Sequence, residues 1–100
     1  MEHGQIGKPV YRKVVSGNLS DNDVLAENVD YFIRVYGSGT VSGSIYRAIP
    51  YFEQYQGNSN ILTARLYADT HKVQISIYSG GIAQTNKDCN IIIEYTKTTD

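Results

Sequence analysis

Cys89-Asn90-Ile91-Ile92-Ile93-Glu94-Tyr95-Thr96-Lys97-Thr98-Thr99-Asp100 is the stretch that decides the fold. β-Branched and aromatic residues dominate it, and these suit a pleated, half-buried surface. The two-residue period of a strand sets Ile91, Ile93 and Tyr95 on one face and Ile92, Glu94 and Thr96 on the other. Ile92 makes the second face partly apolar, which predicts a central strand and not an edge. Cys89 opens the run as a buried small hydrophobe. A domain built around such a strand is complete only once the strand has been made, so truncation after Asn90 is expected to abolish folding.

The hairpin upstream has the cleanest alternation in the chain. Leu62, Ala64, Leu66 and Ala68 point inward along Ile61–Ala68, and Val73, Ile75 and Ile77 do so along Val73–Tyr78, with Asp69-Thr70-His71-Lys72 as the connection. Its outward face carries Thr63, Arg65, Tyr67, Gln74, Ser76 and Tyr78. Further strands are predicted over Val10–Val15, Tyr31–Tyr36 and Ile45–Ile49, the last ended by Pro50, which lacks an N–H. The first of these, with Arg12 and Lys13, reads as an edge protected by charge. Ser16-Gly17-Asn18 and Gly57-Asn58-Ser59-Asn60 read as turns, Gly37–Ser44 as a flexible exposed loop able to carry recognition, and Ile82–Asp88 as a polar loop. Ser20, with Asp23 three residues on, predicts a helix of one or two turns before Asn28. Short strands separated by turn signals about every eight to twelve residues predict an all-β fold, an antiparallel β-sandwich of jelly-roll-like or Ig-like form with at most one short helix. Residues 1–8 read as a loosely held leader or linker from an upstream segment, and 9–100 as a single domain.

One hundred residues suffice for one core, burying roughly 65% of the surface that the unfolded chain exposes. The single cysteine excludes an internal disulfide framework. Nine basic and ten acidic residues give a net charge of −1 with no basic patch, so nucleic-acid binding is not expected. No apolar run has the length of a membrane span, so no membrane insertion is expected either. Nine tyrosines against two phenylalanines and no tryptophan is an unusual aromatic balance. Tyrosine buries a ring and keeps a hydroxyl for water or a partner, which suits both half-buried sandwich positions and extensive contact surface.

No catalytic constellation is visible. His3 and His71 have no Cys, His or carboxylate pair at metal-ligand spacing. Asp21-Asn22-Asp23 lacks the ligand spacing, glycine and distal Glu of a calcium loop. Gly37–Gly43 lacks the lysine ending and following helix of a phosphate-cradling loop. No G-x-S-x-G is present, Cys89 has no evident histidine partner, and Glu94 alternates as an ordinary strand residue, which argues against pairing with Glu53 as in a glycosidase. Neither a cofactor nor an enzymatic activity is expected.

Gly7-Lys8-Pro9-Val10-Tyr11-Arg12-Lys13-Val14-Val15 near the start and Glu94-Tyr95-Thr96-Lys97-Thr98-Thr99-Asp100 at the finish resemble the two ends of a C-terminal module of tail-associated proteins in bacteriophages and prophages. Between them, Val35-Tyr36-Gly37, Ile49-Pro50-Tyr51-Phe52 and the hairpin from Leu62 to Tyr78 also fit that pattern, so the resemblance spans nearly the whole domain. It implies a virion structural domain at the distal end of a tail fibre, baseplate or related appendage. Such a domain would be β-rich, joined to an upstream fibre or baseplate segment, homotrimeric, and in contact with carbohydrate on the host surface. The alternative it leaves open is a purely structural trimerisation or capping module without receptor binding. Sugar sites favour aromatic platforms beside amides and carboxylates, which singles out Tyr46, Tyr51, Phe52 and Tyr55 with Glu53 and Gln54.

Overall fold

The computed structural model describes residues 3–5 and 8–99, with side chains described for 8–54 and 56–99. Met1, Glu2, Ile6 and Gly7 of the expected leader and Asp100 of the closing stretch lie outside the described residues, as does the side chain of Tyr55. The strands are β1 (His3–Gln5), β2 (Lys8–Pro9), β3 (Tyr11–Leu19), β4 (Val24–Ala26), β5 (Val29–Thr40), β6 (Tyr46–Ile49), β7 (Tyr51–Tyr55), β8 (Asn58–Tyr67), β9 (Lys72–Ser79), β10 (Ile82–Ala83) and β11 (Lys87–Lys97). All pairings are antiparallel, and the described residues contain no helix.

Two sheets form the body of an all-β sandwich. One runs β3-β11-β5-β6, the other β10-β9-β8-β7 with β4 also on β9. β11 lies between β3 and β5, so both its backbone edges are satisfied. Its inward residues Cys89, Ile91, Ile93 and Tyr95 join Leu62, Val73, Ile75 and Ile77 of the facing sheet in one core, closed by Leu25 and Val29. Each such aliphatic side chain contributes about 1.5–3 kcal/mol when fully buried. Ile92, on the outer face, is nevertheless buried, its flanking residues on β3 and β5 being Val14 and Tyr36. Two register shifts on the β5 side, between Glu94 and Tyr95 and between Thr96 and Lys97, leave Ile33 and Asp30 of β5 without an opposed residue on β11.

The structure departs from the sequence expectations where a distant strand decides the local conformation. Residues 20–28 form a turn and β4 instead of a short helix. The Ser20 N–H does donate to the Asp23 carboxylate at 2.8 Å, which is half of the capping arrangement. The following backbone is taken by β9, however: Asn22 N–H donates to Ile75 O and Ile75 N–H to Asp23 O, so tertiary pairing outweighs the helical signal. Ser16-Gly17-Asn18 lies within β3, opposite Asn90, Cys89 and Asp88, which carries the edge strand on to the buried Leu19. Asn58–Asn60 begin β8. The turn there is Gln56-Gly57, with φ of 51° and 82° at its two positions, as a two-residue primed hairpin requires.

The expected glycine loop is half strand. Gly37–Gly39 pairs with β11 on one side and Gly37–Thr40 with β6 on the other, and the chain leaves the sheet only after Thr40. Gly37 has φ +123°, and a Cβ there would lie 2.1 Å from Asn90 O. At Gly39 a Cβ would lie 2.8 Å from Cys89 Sγ and 3.0 Å from Leu62 Cδ2. Gly37 lets β5 lie against β11 within their own sheet, and Gly39 lets that sheet approach Leu62 of its neighbour, uses that composition alone does not reveal.

Ile45–Phe52 divides between sheets. β6 belongs to the four-stranded sheet, β7 to the other, and the cis Ile49–Pro50 bond lies at the crossing. Part of the expected polar loop also pairs, as β10 against Tyr78–Ser79. At the chain's start, β1 pairs with β2, and Lys8 Nζ donates to Asp30 Oδ2 at 2.7 Å and to Lys97 O at 3.1 Å.

Candidate functional site

The residues singled out from sequence do not converge on one surface. Tyr46 stands on β6, 58% exposed, and its hydroxyl donates to the Asp88 carboxylate. That hydrogen bond, and then the nearby negative charge, raise the Tyr46 hydroxyl pKa above its ordinary value. Tyr51 stands on β7 in the other sheet and leans on the core. Its hydroxyl donates to Glu53 Oε1 at 3.0 Å, and the Arg47 guanidinium lies over its ring at 5.1 Å. Desolvation, with the Glu53 hydrogen bond second, raises the Tyr51 pKa. Glu53 also accepts from Asn60 Nδ2 at 3.4 Å.

Strand alternation turns Phe52 and Gln54 to the opposite face from Tyr51 and Glu53. Phe52 is 66% exposed and Gln54 is exposed. The sequence-based platform therefore separates into three parts: Tyr46 on one sheet, the Arg47–Tyr51–Glu53–Asn60 group at the β6–β7 side, and Phe52 with Gln54 outside. The Tyr55 side chain lies outside the described residues.

Two outward surfaces emerge from register and were not assembled from sequence. On the four-stranded sheet, β3, β11 and β5 align Arg12, Glu94 and Arg34 in one row. Arg34 Nε meets Glu94 Oε1 at 3.1 Å, Tyr36 donates its hydroxyl hydrogen to Glu94 Oε2 at 3.2 Å, and Arg12 Nε donates to the Tyr36 hydroxyl at 3.0 Å. The Arg34 guanidinium also covers the Tyr36 ring at 4.3 Å. Val14, about half exposed, sits one row along. On the other sheet the register places Phe52, Ile61, Tyr78 and Ala83 side by side across β7, β8, β9 and β10. Pairing the outward residues of the hairpin with those of the neighbouring strands is the signal that finds this row, and it needs the register.

Among the described residues no cavity is present, and no three His, Cys, Asp or Glu side chains stand together as metal ligands would. Burial, with the Asp88 charge second, pushes the Cys89 thiol up to about 11, away from the thiolate a nucleophile needs. His71, at positive φ in the β8–β9 turn, places Nδ1 3.1 Å from Val29 O. No described helix is long and apolar enough to cross a membrane.

The fold and its surfaces thus define a two-sheet antiparallel sandwich with aromatic outer faces. No family model, curated protein or solved structure matches the chain.

Proposed function

We propose that this chain is a virion structural module at the distal end of a phage tail fibre or related appendage, forming a homotrimer and contributing to attachment at the host surface. The observation that carries this reading is the joining of the two end motifs. Tyr11, Arg12 and Lys13 of the opening motif stand opposite Tyr95, Glu94 and Ile93 on β11. Tyr11 stacks on Tyr95 with ring centroids 6.0 Å apart, and Lys97 Nζ lies 4.3 Å over the Tyr11 ring. Lys8 closes the same corner by donating to Lys97 O. Two stretches that resemble one kind of module, far apart in sequence, are thus paired in a single structural joint, which supports reading them together.

Association is supported by the large apolar and aromatic side chains left on the surface, among them Val14, Tyr31, Ile45, Tyr46 and Phe52. Aromatic residues of this kind are enriched where subunits and partners meet. Light scattering across a dilution series is expected to return three times the chain mass, and labelled protein is expected to decorate bacterial cells of the host. A monomer at every concentration would remove the trimer, and absence of binding to any cell tested would remove attachment. The second reading, a structural or capping module that binds no receptor, is favoured by the dispersal of the expected sugar platform over two sheets. A trimer that binds no cell is its signature.

A further inference from the structure

We infer that the row Phe52–Ile61–Tyr78–Ala83 is a platform for a neutral saccharide chain, which relocates and narrows the attachment function proposed above and rests on it. The row crosses β7, β8, β9 and β10 in continuous register. Neighbouring strands lie about 4.8 Å apart, so the row is roughly 14 Å long and one side chain wide. Phe52 is 66% exposed at one end, while Ile61 and Tyr78 are partly exposed in the middle. Two rings and an aliphatic side chain thus form a narrow, mostly apolar track on a flat sheet face.

The polar side chains in the rows beside the track are uncharged, and the Asp21 carboxylate at the β9 edge is engaged, accepting from the Ile77 N–H at 2.9 Å. Gln54 and Ser59 form one flanking row, and Thr63 flanks the other side, its neighbour Ser76 being buried. Arg65, the first cation along this face, is two rows away and engaged, its Nη2 donating to Asn22 Oδ1 at 2.9 Å. Glu53 faces the other way, bonded to Tyr51 and Asn60. An apolar track flanked by amide and hydroxyl groups complements a ligand with C–H faces and hydroxyl edges, which is the chemistry of a neutral sugar chain. An acidic polymer would meet Arg65 already engaged by Asn22, and a basic one Asp21 already engaged by the Ile77 N–H.

Size argues against a second copy of this chain as the occupant. The track offers on the order of 100 Å², from its length and single-residue width. A stable protein interface needs about 800 Å² from each partner. The outer face of the four-stranded sheet, with Val14 beside the Arg12–Tyr36–Glu94–Arg34 network, remains available for subunit contact.

The test uses the intact labelled protein against an immobilised panel of bacterial surface polysaccharides and against whole cells, either untreated, periodate-oxidised or protease-shaved. Phe52→Ser and Tyr78→Ser are each expected to weaken binding about tenfold. Asp69→Asn, in the exposed β8–β9 turn away from the row, is expected to leave it unchanged. Periodate should abolish cell binding and protease should not. Circular dichroism and light scattering on each variant establish that fold and assembly persist. Full binding by folded Phe52→Ser and Tyr78→Ser would overturn the platform while leaving attachment standing. Binding lost to protease but surviving periodate would overturn the saccharide in favour of a protein receptor. Failure of the parent protein to bind any polysaccharide or cell would remove attachment, and the platform with it.

Discussion

Gly39 offers a direct measure of how closely the two sheets approach. A Cβ at this position would lie 2.8 Å from Cys89 Sγ, 3.0 Å from Leu62 Cδ2 and 3.2 Å from Cys89 Cβ. Gly39→Ala therefore forces Cys89 and Leu62 apart inside the core, a form of overpacking that costs about 1–3 kcal/mol. The lower backbone freedom of alanine in a strand offsets about 0.5–1 kcal/mol of this. The expected net loss is about 1–2 kcal/mol. Cys89→Ala alone removes one buried sulfur and leaves a small void, at a cost of about 1 kcal/mol. In the double variant the new methyl group occupies the space vacated by Sγ, leaving only the Leu62 contact to be accommodated. The two costs should then fall short of additivity by about 1 kcal/mol. Urea unfolding of the four proteins, followed by circular dichroism, measures this cycle. Additivity within about 0.3 kcal/mol would refute the proposed contact between residue 39 and the thiol.

Further expectations follow from other close contacts. At Gly37, with φ +123° and a Cβ position 2.1 Å from Asn90 O, alanine should cost roughly 4 kcal/mol or more and leave the protein largely unfolded at room temperature; a well-dispersed NMR spectrum of Gly37→Ala would contradict this. Thr96 Oγ1 is buried with no hydrogen-bond partner among the described residues, so Thr96→Val should stabilise the fold by about 1–2 kcal/mol, and a lower denaturation midpoint would disprove it. Cys89 is an acid whose folded pKa, raised from 9.0 to about 11, exceeds its unfolded value. The folded state therefore keeps its proton where the unfolded state loses it, and the stabilising contribution is complete below about pH 9 and lost as pH rises to about 11. At 1.36 kcal/mol per pKa unit it amounts to about 3 kcal/mol, so parallel stability curves for the parent and Cys89→Ala between pH 8 and 11 would rule it out. Truncation after Asn90 removes the inward pair Ile91 and Ile93 and the partner of both β3 and β5; a soluble, folded product would show that β11 is not the organising strand.

The strand periodicities carried most of the fold. Ile91, Ile93 and Tyr95 are inward because alternation is a property of the strand itself, and Ile92 between two neighbours was foreseeable from its apolar character. What escaped was decided by residues remote in sequence. Gly37 and Gly39 read as loop residues until Asn90 O and Cys89 Sγ are placed against them. Residues 20–28 read as helical until Ile75 takes their backbone bonds. The candidate site was legible only in part. The residues Tyr51 to Gln54 look like one patch when written in a line, yet alternation alone divides Tyr51 and Glu53 from Phe52 and Gln54. The transfer of the chain to the second sheet at Pro50, which separates Tyr46 from them, has no local signal. The Phe52–Ile61–Tyr78 row required knowing which residue of each strand stands beside which.

The placement of β11 also sets an order of assembly. β7, β8 and β9 are successive in sequence and paired through short turns, so their sheet closes through local contacts. β3 must instead wait with no strand partner, and β5 with one open backbone edge beside β6, for a strand that leaves the ribosome after all the others described. Non-local pairing of this kind is slow, and open strand edges are the usual starting points for aggregation. Lys13, near the middle of β3, places a charge on that waiting edge. A growing chain thus holds one finished sheet and one unfinished sheet until β11 emerges. The rate at which β11 inserts between its two neighbours governs how much of the protein reaches its folded state.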